Sequence, residues 1–549
     1  MFAYATISFL WTAFGAAALG FVSSQRRSEP RRGLAGRGAL WVFAASMVYV
    51  LTLVGTPVWG LEYEDAYEYE YAARFLYRNG PIERAALNPL CIDGSLVDCE
   101  VTGSLSHPIG VAAIASWLVP LTPSGVGAVP YASLAMLALV LATLVVLLRQ
   151  SADEFAGLAA SALLLTWPST SWVGTGFAEP FSAALTLVAV ACAWMLSEEC
   201  LGGGGAWRRQ LPLLVLLPCA VALGVLCKRE AIAVPLVLAP AGAAHWWRHR
   251  GASKTGGPAV MVAVLSGTAI AFAVAGDGIL SADAVSPAER FPFSLANARS
   301  FLPELLSMLV SSPPAALTLV LAAIALVVGR PRPRSLVLVG ISVAVVYVLV
   351  FTAFDQDFET VYGGVPPRHH FARYAVQITP LLCLAGGVGA AAAMDHLRAR
   401  WPSYVPARLG PALLLLVAAW ASWSAGSDRL RTARIERGAR IAPMARACAE
   451  VPADSVLITE EPVVAGLVCP PTQHVIDLPS LLWTDEPRLR ARVAQDEVFY
   501  LERASFTSAL ATRYAEAHGV ISVFRLVPIA DYGNGVRLVR VEAHAPTAN

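Results

Sequence analysis

Long apolar stretches recur over most of this 549-residue chain and constrain its fold more than any other feature. A transmembrane helix needs about 20 predominantly apolar residues. About twelve stretches approach that length, at residues 3–22, 38–58, 129–148, 155–172, 177–196, 211–227, 231–247, 258–276, 306–329, 335–353, 374–394 and 409–424. Only 14% of the residues are charged, against about 25% in a typical soluble domain. The sequence therefore predicts an α-helical polytopic membrane protein with about 12 transmembrane helices, and it excludes a disordered chain or an ordinary soluble enzyme.

The distribution of charge predicts which loops face the cytoplasm. The apolar stretch 108–121 is short and ends near two prolines, so we interpret it as a helix in the membrane interface. With both termini outside, the cytoplasmic loops then carry more basic than acidic residues, and the outer loops before residue 425 carry the reverse. The predicted cytoplasmic clusters include Arg26, Arg27, Arg31, Arg32 and Arg37, and later Arg330, Arg332 and Arg334.

This topology divides the chain into three parts. Residues 1–37 are an additional transmembrane helix and a cytoplasmic loop; positive charges follow its apolar run rather than precede it, which favours a retained anchor over a cleaved signal peptide. Residues 38–424 form the main transmembrane domain, with a large first outer loop at 61–128. Residues 425–549 have a charged content near that of soluble proteins and form a small extracytoplasmic α/β domain.

Alternating and periodic patterns predict the elements of the C-terminal domain. Its predicted strands are Ser455–Thr459, His474–Leu478, Val498–Leu501, Ile521–Val527 and Val536–Val541. A helix is predicted at Phe506–Ala517, and Asn534–Gly535 predicts a hairpin turn between the last two strands. Four cysteines on the outer side, Cys91 with Cys99 and Cys448 with Cys469, predict two disulfides in an oxidising compartment; free thiols are the alternative.

An acidic segment follows the second predicted span, with five carboxylates between residues 62 and 70. If the segment is helical, an aromatic residue at every fourth position forms one stripe, made of Tyr63, Tyr67, Tyr71 and Phe75. This predicts a helix in the membrane plane with its tyrosines at headgroup depth. Glu70 and Arg74 have the spacing of a helical ion pair, and Glu68 and Glu70 are expected on the wet face.

Glu62, Glu64 and Asp65 differ from the other acids because they lie where the chain leaves the bilayer. Loss of hydration there raises the pKa of a carboxyl group, and such a group can take a proton from an acceptor hydroxyl. A cluster of carboxylates can also bind a divalent cation, so the sequence leaves metal dependence open.

Basic residues are predicted at the same outer surface, against the general trend of the loops. Lys228 and Arg229 stand between two spans with only three residues to join them, and charged groups at membrane depth are usually functional; interfacial snorkelling is the alternative. Arg368 and Arg373 precede another span and are suited to grip a phosphate.

Further candidates flank these positions. His369 and His370 lie between the two arginines, although solvated loop histidines are common. His107 begins the interfacial stretch and is a candidate ligand or base, with a capping role as the alternative. Glu179 opens a predicted span, where the helix dipole alone would favour an acid.

These motifs, in this order, resemble the GT-C superfamily of polytopic glycosyltransferases, which includes lipid A aminoarabinose transferases and protein O-mannosyltransferases. The resemblance covers residues 38–424 and rests on Glu64-Asp65, His107-Pro108, Gly176-Phe177-Ala178-Glu179-Pro180, Lys228-Arg229 and Arg373-Tyr374. It implies that Asp65 or Glu64 acts as the base or orients the acceptor, and that Lys228 and Arg373 hold a lipid phosphate. The chain departs from the family in its additional first helix, in His-Pro-Ile instead of His-Pro-Pro, and in its C-terminal domain.

The resemblance implies a reaction on the extracytoplasmic face. Nucleotide sugars are confined to the cytoplasm, so the donor would be a polyprenyl-phosphate-linked sugar held in the bilayer. The acceptor would be a hydroxyl of a glycan, lipid or protein, and one displacement would invert the anomeric carbon. In a bacterium the enzyme would be a multi-pass protein of the inner membrane. The net charge of +1 gives no field to attract nucleic acid.

Other functions fit part of the same pattern. A transporter or flippase of lipid-linked saccharides would show repeated halves and ionisable residues at mid-bilayer, and no repeat is visible. A non-catalytic envelope assembly protein would not depend on the acidic motif. A different lipid-dependent enzyme, such as an O-antigen ligase, would place its main site in a later outer loop.

Overall fold

The structure, a computed structural model, describes most of the chain in separate segments. The described residues are 2–28, 64–79, 110–122, 127–167, 178–199, 207–248, 256–275, 312–354, 368–401, 441–469, 474–478, 486–503 and 519–543, apart from 454, 496 and 534, with a few more positions between 299 and 310. The predicted spans 38–58 and 409–424 and the predicted helix 506–517 lie outside them.

The transmembrane part is a bundle of helices. Its helices are α1 (Phe2–Ser28), α2 (Glu64–Asn79), α3 (Gly110–Ser116), α4 (Ala128–Ser151), α5 (Glu154–Thr166), α6 (Glu179–Glu199), α7 (Trp207–Cys227), α8 (Ala233–Arg248), α9 (Gly256–Ala275), α10 (Pro313–Val328), α11 (Pro331–Phe354) and α12 (Arg368–Arg400). Short 3-10 turns occupy Val119–Leu121 and Arg229–Ile232. Among the described residues, 7 helices are long and apolar enough to cross a membrane, namely α1, α4, α6, α7, α9, α11 and α12.

Two predicted spans are shorter in the structure than in the sequence pattern. Helix α5 ends at Thr166 and α10 begins at Pro313, and both are apolar. Pro168 disfavours a helical conformation at Trp167, which is extended at φ −71° and ψ 132°. Ser312 caps α10 by accepting a hydrogen bond from the Ala315 amide, at 3.3 Å. A proline therefore sets the end of α5 and a serine cap sets the start of α10, and hydropathy sets neither.

Helix α12 lies at the centre of the bundle and packs against α5, α6, α10 and α11. Glycines permit the close contacts. A Cβ atom on Gly387 would stand 2.5 Å from the Ala156 carbonyl oxygen of α5, and one on Gly389 would collide with the Leu321 backbone of α10. Small residues are the usual means by which membrane helices approach this closely.

Charged residues distinguish the two ends of the bundle. Lys228 lies at one end, where α7 finishes and α6 begins, and we call this the Lys228 end. At the opposite end, the Arg330 end, Arg330 pairs with Asp395 and Arg332 pairs with Glu198. The predicted topology puts these two sets of basic residues on opposite sides of the membrane, and the fold keeps them at opposite ends.

Helices α2 and α3 lie at the Lys228 end. Helix α3 has 7 residues, too few to cross a bilayer, and α2 packs against it. A Cβ atom on Gly110, the first residue of α3, would stand 2.5 Å from the carbonyl oxygen of Leu226. The Gly110 carbonyl also accepts a hydrogen bond from the Trp11 indole, at 3.4 Å. The short stretch that we interpreted as interfacial is thus fixed beside the end of α7.

The C-terminal domain has three layers around one sheet. Its elements are α13 (Ala442–Glu450), β1 (Val456–Thr459), α14 (Pro462–Val468), β2 (His474–Asp477), α15 (Glu486–Val493), β3 (Val498–Arg503), β4 (Arg525–Asp531) and β5 (Val536–Glu542). The strand order is β2-β1-β3-β5-β4. Strand β1 is parallel to β2 and β3, whereas β5 is antiparallel to β3 and β4.

Each face of this sheet has its own apolar core, because successive strand residues point to opposite sides. In β1, Val456 and Ile458 join the core under α15, and Leu457 joins the core under α13 and α14. The predicted α/β character and four of the predicted strands are therefore confirmed within the described residues.

The fourth predicted strand is displaced. We expected it at Ile521–Val527, but residues up to Phe524 form a helical turn, in which the Phe524 amide donates to the Ile521 carbonyl at 3.1 Å, and β4 begins at Arg525. The predicted hairpin is confirmed, with Gly533 and Gly535 at φ 80° and 75° in its turn. The Cys448–Cys469 disulfide is confirmed; Cys91 and Cys99 lie outside the described residues.

Candidate active site

Lys228 is the centre of a buried charged cluster at the Lys228 end. It follows the last residue of α7 and precedes the 3-10 turn, and only 8% of its surface is exposed. Its Nζ atom lies 3.3 Å from Oε1 of Glu179 and 3.7 Å from Oε1 of Glu230. The same ammonium stands over the ring of Tyr374, 5.0 Å from the centroid, as in a cation–π contact. Helices α6, α7 and α12 therefore converge on one amine.

Glu179 is the first residue of α6 and its side chain is fully buried. The positive end of the helix dipole favours a carboxylate at this position. The structure adds the Lys228 ammonium, so the dipole is not the whole explanation. A buried carboxylate beside a buried ammonium is costly to desolvate, and such pairs near membrane depth usually mark functional sites.

A hydroxyl cluster adjoins the charged cluster inside the bundle. The Tyr347 hydroxyl of α11 lies 2.8 Å from Oγ of Ser182 and 3.2 Å from Oγ1 of Thr186, both on α6. All three side chains are buried. None of the three was among the predicted site residues, although Ser182 and Thr186 are polar, lie four residues apart in a mostly apolar helix, and therefore share one face.

The other predicted phosphate-binding residues are close to this cluster along the backbone. Arg229 and Glu230 follow Lys228 in the 3-10 turn and are half-buried. Arg368, His369, His370 and Arg373 occupy the first turns of α12, ahead of Tyr374. Their side chains lie outside the described part of the structure, so only their position at the Lys228 end is established.

Glu70 caps the start of α4 and does not face water as predicted. We expected it on the wet face of α2, but its side chain is fully buried. It accepts hydrogen bonds from the amides of Gly127, Ala128 and Val129, at 3.3, 3.1 and 2.8 Å. These are the amides that the start of α4 leaves without helical partners. The predicted pair with Arg74 is confirmed, with Nε to Oε1 at 2.8 Å.

The aromatic stripe of α2 is present in the part that is described. The rings of Tyr71 and Phe75 lie 6.0 Å apart and both side chains are half-buried. Burial raises the pKa of the Tyr71 hydroxyl, and nearby Arg78 partly opposes this shift. Glu68 is half-buried, and the side chains of Tyr63 and Tyr67 are not described.

The acidic motif and Lys228 lie at the same end of the bundle. Glu64 and Asp65 are the first residues of α2, which packs on α3, and α3 meets the backbone just before Lys228. The side chains of Glu64 and Asp65 are not described, and Glu62 and His107 lie outside the described residues. Among the side chains that are described, no group of three or more His, Cys, Asp or Glu is arranged to hold a metal ion.

No family model matches this sequence, and no curated protein does. The fold, in contrast, is similar to solved structures. ArnT from Cupriavidus metallidurans bound to undecaprenyl phosphate gives a TM-score of 0.61 at 12% identity, over 92% of this chain and 98% of that one. Its apo state gives 0.59. The apo Archaeoglobus fulgidus oligosaccharyltransferase gives 0.51 at 10% identity, over 89% of this chain and 73% of that one.

These structures establish the class of fold. ArnT and the archaeal oligosaccharyltransferase AglB are both GT-C superfamily members. The chain has the GT-C fold, and the resemblance inferred from its motifs is confirmed at that level. Because the identities are only 10–12%, the likeness establishes the fold alone.

Proposed function

We propose that this protein is a GT-C glycosyltransferase that moves a sugar from a polyprenyl-phosphate-linked donor to an acceptor hydroxyl on the extracytoplasmic face. The observation that carries the proposal is the convergence of Glu179, Lys228 and Glu230 at the end of the bundle where α2 lies. The fold supports it, because the likeness to ArnT extends over nearly the whole of both chains and that protein is bound to undecaprenyl phosphate.

The donor phosphate becomes the leaving group and needs positive charge as its bond to the sugar breaks. Lys228 supplies one ammonium in a buried setting, where fixed charges act strongly. It faces two carboxyl groups within 4 Å, so the cluster has no surplus positive charge of its own. Arg229, Arg368 and Arg373 would therefore complete the phosphate site.

The acidic residues would activate the acceptor. Asp65 or Glu64 takes the proton of the acceptor hydroxyl as its oxygen attacks the anomeric carbon. The bond from that carbon to the phosphate oxygen breaks, and the polyprenyl phosphate leaves with the electron pair. A single displacement of this kind inverts the configuration of the anomeric carbon. It requires the acidic residues and the phosphate site to lie at the same membrane surface.

The proposal includes the topology of 12 spans in a bacterial inner membrane, with the Lys228 end and the C-terminal domain outside. The Cys448–Cys469 disulfide supports an oxidising compartment for that domain. The exposed arginines at the Arg330 end support a cytoplasmic location for that end.

A complementation experiment tests the proposed function. Envelope glycans are profiled by mass spectrometry in a deletion strain that carries the wild type, Asp65→Asn or the control Glu68→Gln on the same helix. We expect the deletion to remove one sugar from a glycan, the wild type and Glu68→Gln to restore it, and Asp65→Asn to fail while inserting normally. Full restoration by Asp65→Asn would remove its role as base, and an unchanged glycan profile in the deletion strain would refute the transferase.

A further inference from the structure

The first turn of α2 is part of the core of the C-terminal domain. Ala66 directly follows Asp65 and is fully buried. It belongs to the same apolar cluster as Met444 and Ala447 of α13 and Val464 of α14. Helix α14 packs directly against α2. The residue next to the acidic motif therefore packs into the C-terminal domain, which is more than 350 residues away along the chain. We call the part of α13 and α14 that contacts Ala66 the seat.

A disulfide ties together the two helices that form this seat. Cys448 lies near the end of α13 and Cys469 follows the end of α14, and β1 runs between them. Helix α14 has only 7 residues, and an isolated helix of that length is not stable in water. Its position thus depends on the core beneath it, on α2 and on the disulfide. A cross-link across 21 residues restricts how far α13 and α14 can separate.

The next turn of α2 is held by the membrane bundle instead. Glu70 is four residues after Ala66 and so lies on the same side of the helix. Its carboxylate receives the first amides of α4. Two successive turns of α2 are therefore held by different parts of the protein. The C-terminal domain holds the turn that carries Glu64 and Asp65, and the membrane bundle holds the turn that carries Glu70.

We propose that the C-terminal domain is a positioning element for the acid motif, with the disulfide-tied pair α13 and α14 holding the Glu64–Asp65 end of α2 through Ala66. The catalytic meaning of this contact rests on the proposed function, whereas the mechanical coupling does not. A domain that only recruited partners would have no need to extend its core onto α2.

Hydrogen–deuterium exchange of the intact protein in lipid nanodiscs tests the coupling without any substrate. The variants are Cys448→Ser with Cys469→Ser, and Ala66→Leu, which overfills the seat and leaves the disulfide intact. The matched control is Ala494→Leu, at an exposed position after α15 on the other side of the sheet. We expect the amides of residues 64–70 to exchange about tenfold faster in both test variants, with α6 unchanged and the control like the wild type. Unchanged exchange at 64–70 in both test variants would overturn the proposal.

A second measurement connects the coupling to catalysis. Sugar transfer by the double serine variant should show a lower kcat with an unchanged KM for the lipid donor, because the change leaves the contacts of Lys228 with Glu179 and Glu230 intact. A raised KM with an unchanged kcat would contradict a positioning role. If the wild type transferred no sugar, the proposed function would fall, and the exchange experiment would still decide the coupling.

Discussion

The two ends of the bundle use ion pairs in different ways. At the Lys228 end the paired groups are buried, with 10% of the Lys228 side chain and none of Glu179 exposed. At the Arg330 end, 80% of the Arg330 side chain and 49% of Asp395 are exposed. Exposed pairs contribute little to stability, and the proposed topology puts these arginines on the cytoplasmic side of the membrane. Buried pairs cost desolvation, so the Lys228 end has an arrangement that stability alone does not explain.

The largest effect should come from Glu70, whose buried carboxylate accepts hydrogen bonds from three amides and pairs with Arg74. Glu70→Ala removes the acceptor of three amides and the partner of Arg74. We expect about 3 kcal/mol of destabilisation, as for breaking a buried charge pair, measured as a lower thermal unfolding midpoint in detergent. Glu70→Gln, which keeps one acceptor oxygen, should lose less. An alanine variant as stable as the wild type would contradict the role of Glu70 in capping α4.

Lys228→Ala should have the next largest effect on stability. It takes the positive charge away from the buried Glu179 carboxylate, although Glu230 is partly accessible to solvent. We expect the free energy of unfolding to fall by about 2 kcal/mol. Lys228→Met, which keeps the volume of the side-chain stem, separates lost packing from lost charge. If Lys228→Met unfolded at the wild-type temperature, the ion pair would contribute nothing to stability.

Tyr347→Phe tests the hydroxyl cluster next to the charges. The change removes the group that joins Ser182 and Thr186 of α6 to α11. We expect about 1 kcal/mol of destabilisation, the usual contribution of a buried hydrogen bond between neutral groups. Thermal unfolding of this variant beside Ser182→Ala should show effects that are not additive, because both changes disrupt one network. Full additivity would mean that the two residues act independently.

The smallest effects are expected at the Arg330 end. Arg330→Ala removes only an exposed ion pair, and we expect the free energy of unfolding to fall by less than about 0.5 kcal/mol. Arg332→Ala should cost slightly more, since its guanidinium also lies 5.2 Å from the centroid of the Trp194 ring. Unfolding midpoints at low and high salt measure both. A loss at Arg330 as large as that at Lys228 would remove the contrast between the two ends.

Local patterns predicted the elements, and they did not predict the long-range partners. Hydropathy located the 7 described helices that are long and apolar enough to cross a membrane, because the need for apolar length is a property of each segment alone. The Glu70–Arg74 pair was predictable because four residues separate its members. The burial of Glu70 was not, since the amides that it caps are 57 to 59 residues away in the sequence.

The candidate site shows the same limit. Lys228 was predicted from its unusual place between two spans, but its contacts with Glu179 and Tyr374 depend on how three helices pack. Tyr347 had no signal in its own helix, because its partners are on α6, 165 and 161 residues away. The Cys448–Cys469 disulfide could be predicted because both cysteines belong to one small domain, which the predicted topology puts in an oxidising compartment.

Binding of a lipid phosphate tests the central claim most directly. The purified wild type, Lys228→Ala and Arg330→Ala are each titrated with undecaprenyl phosphate and observed by native mass spectrometry. The account predicts equal binding by the wild type and Arg330→Ala, and about tenfold weaker binding by Lys228→Ala, as for the loss of one charge-assisted contact. Equal binding by all three proteins would contradict a phosphate site at the Lys228 end.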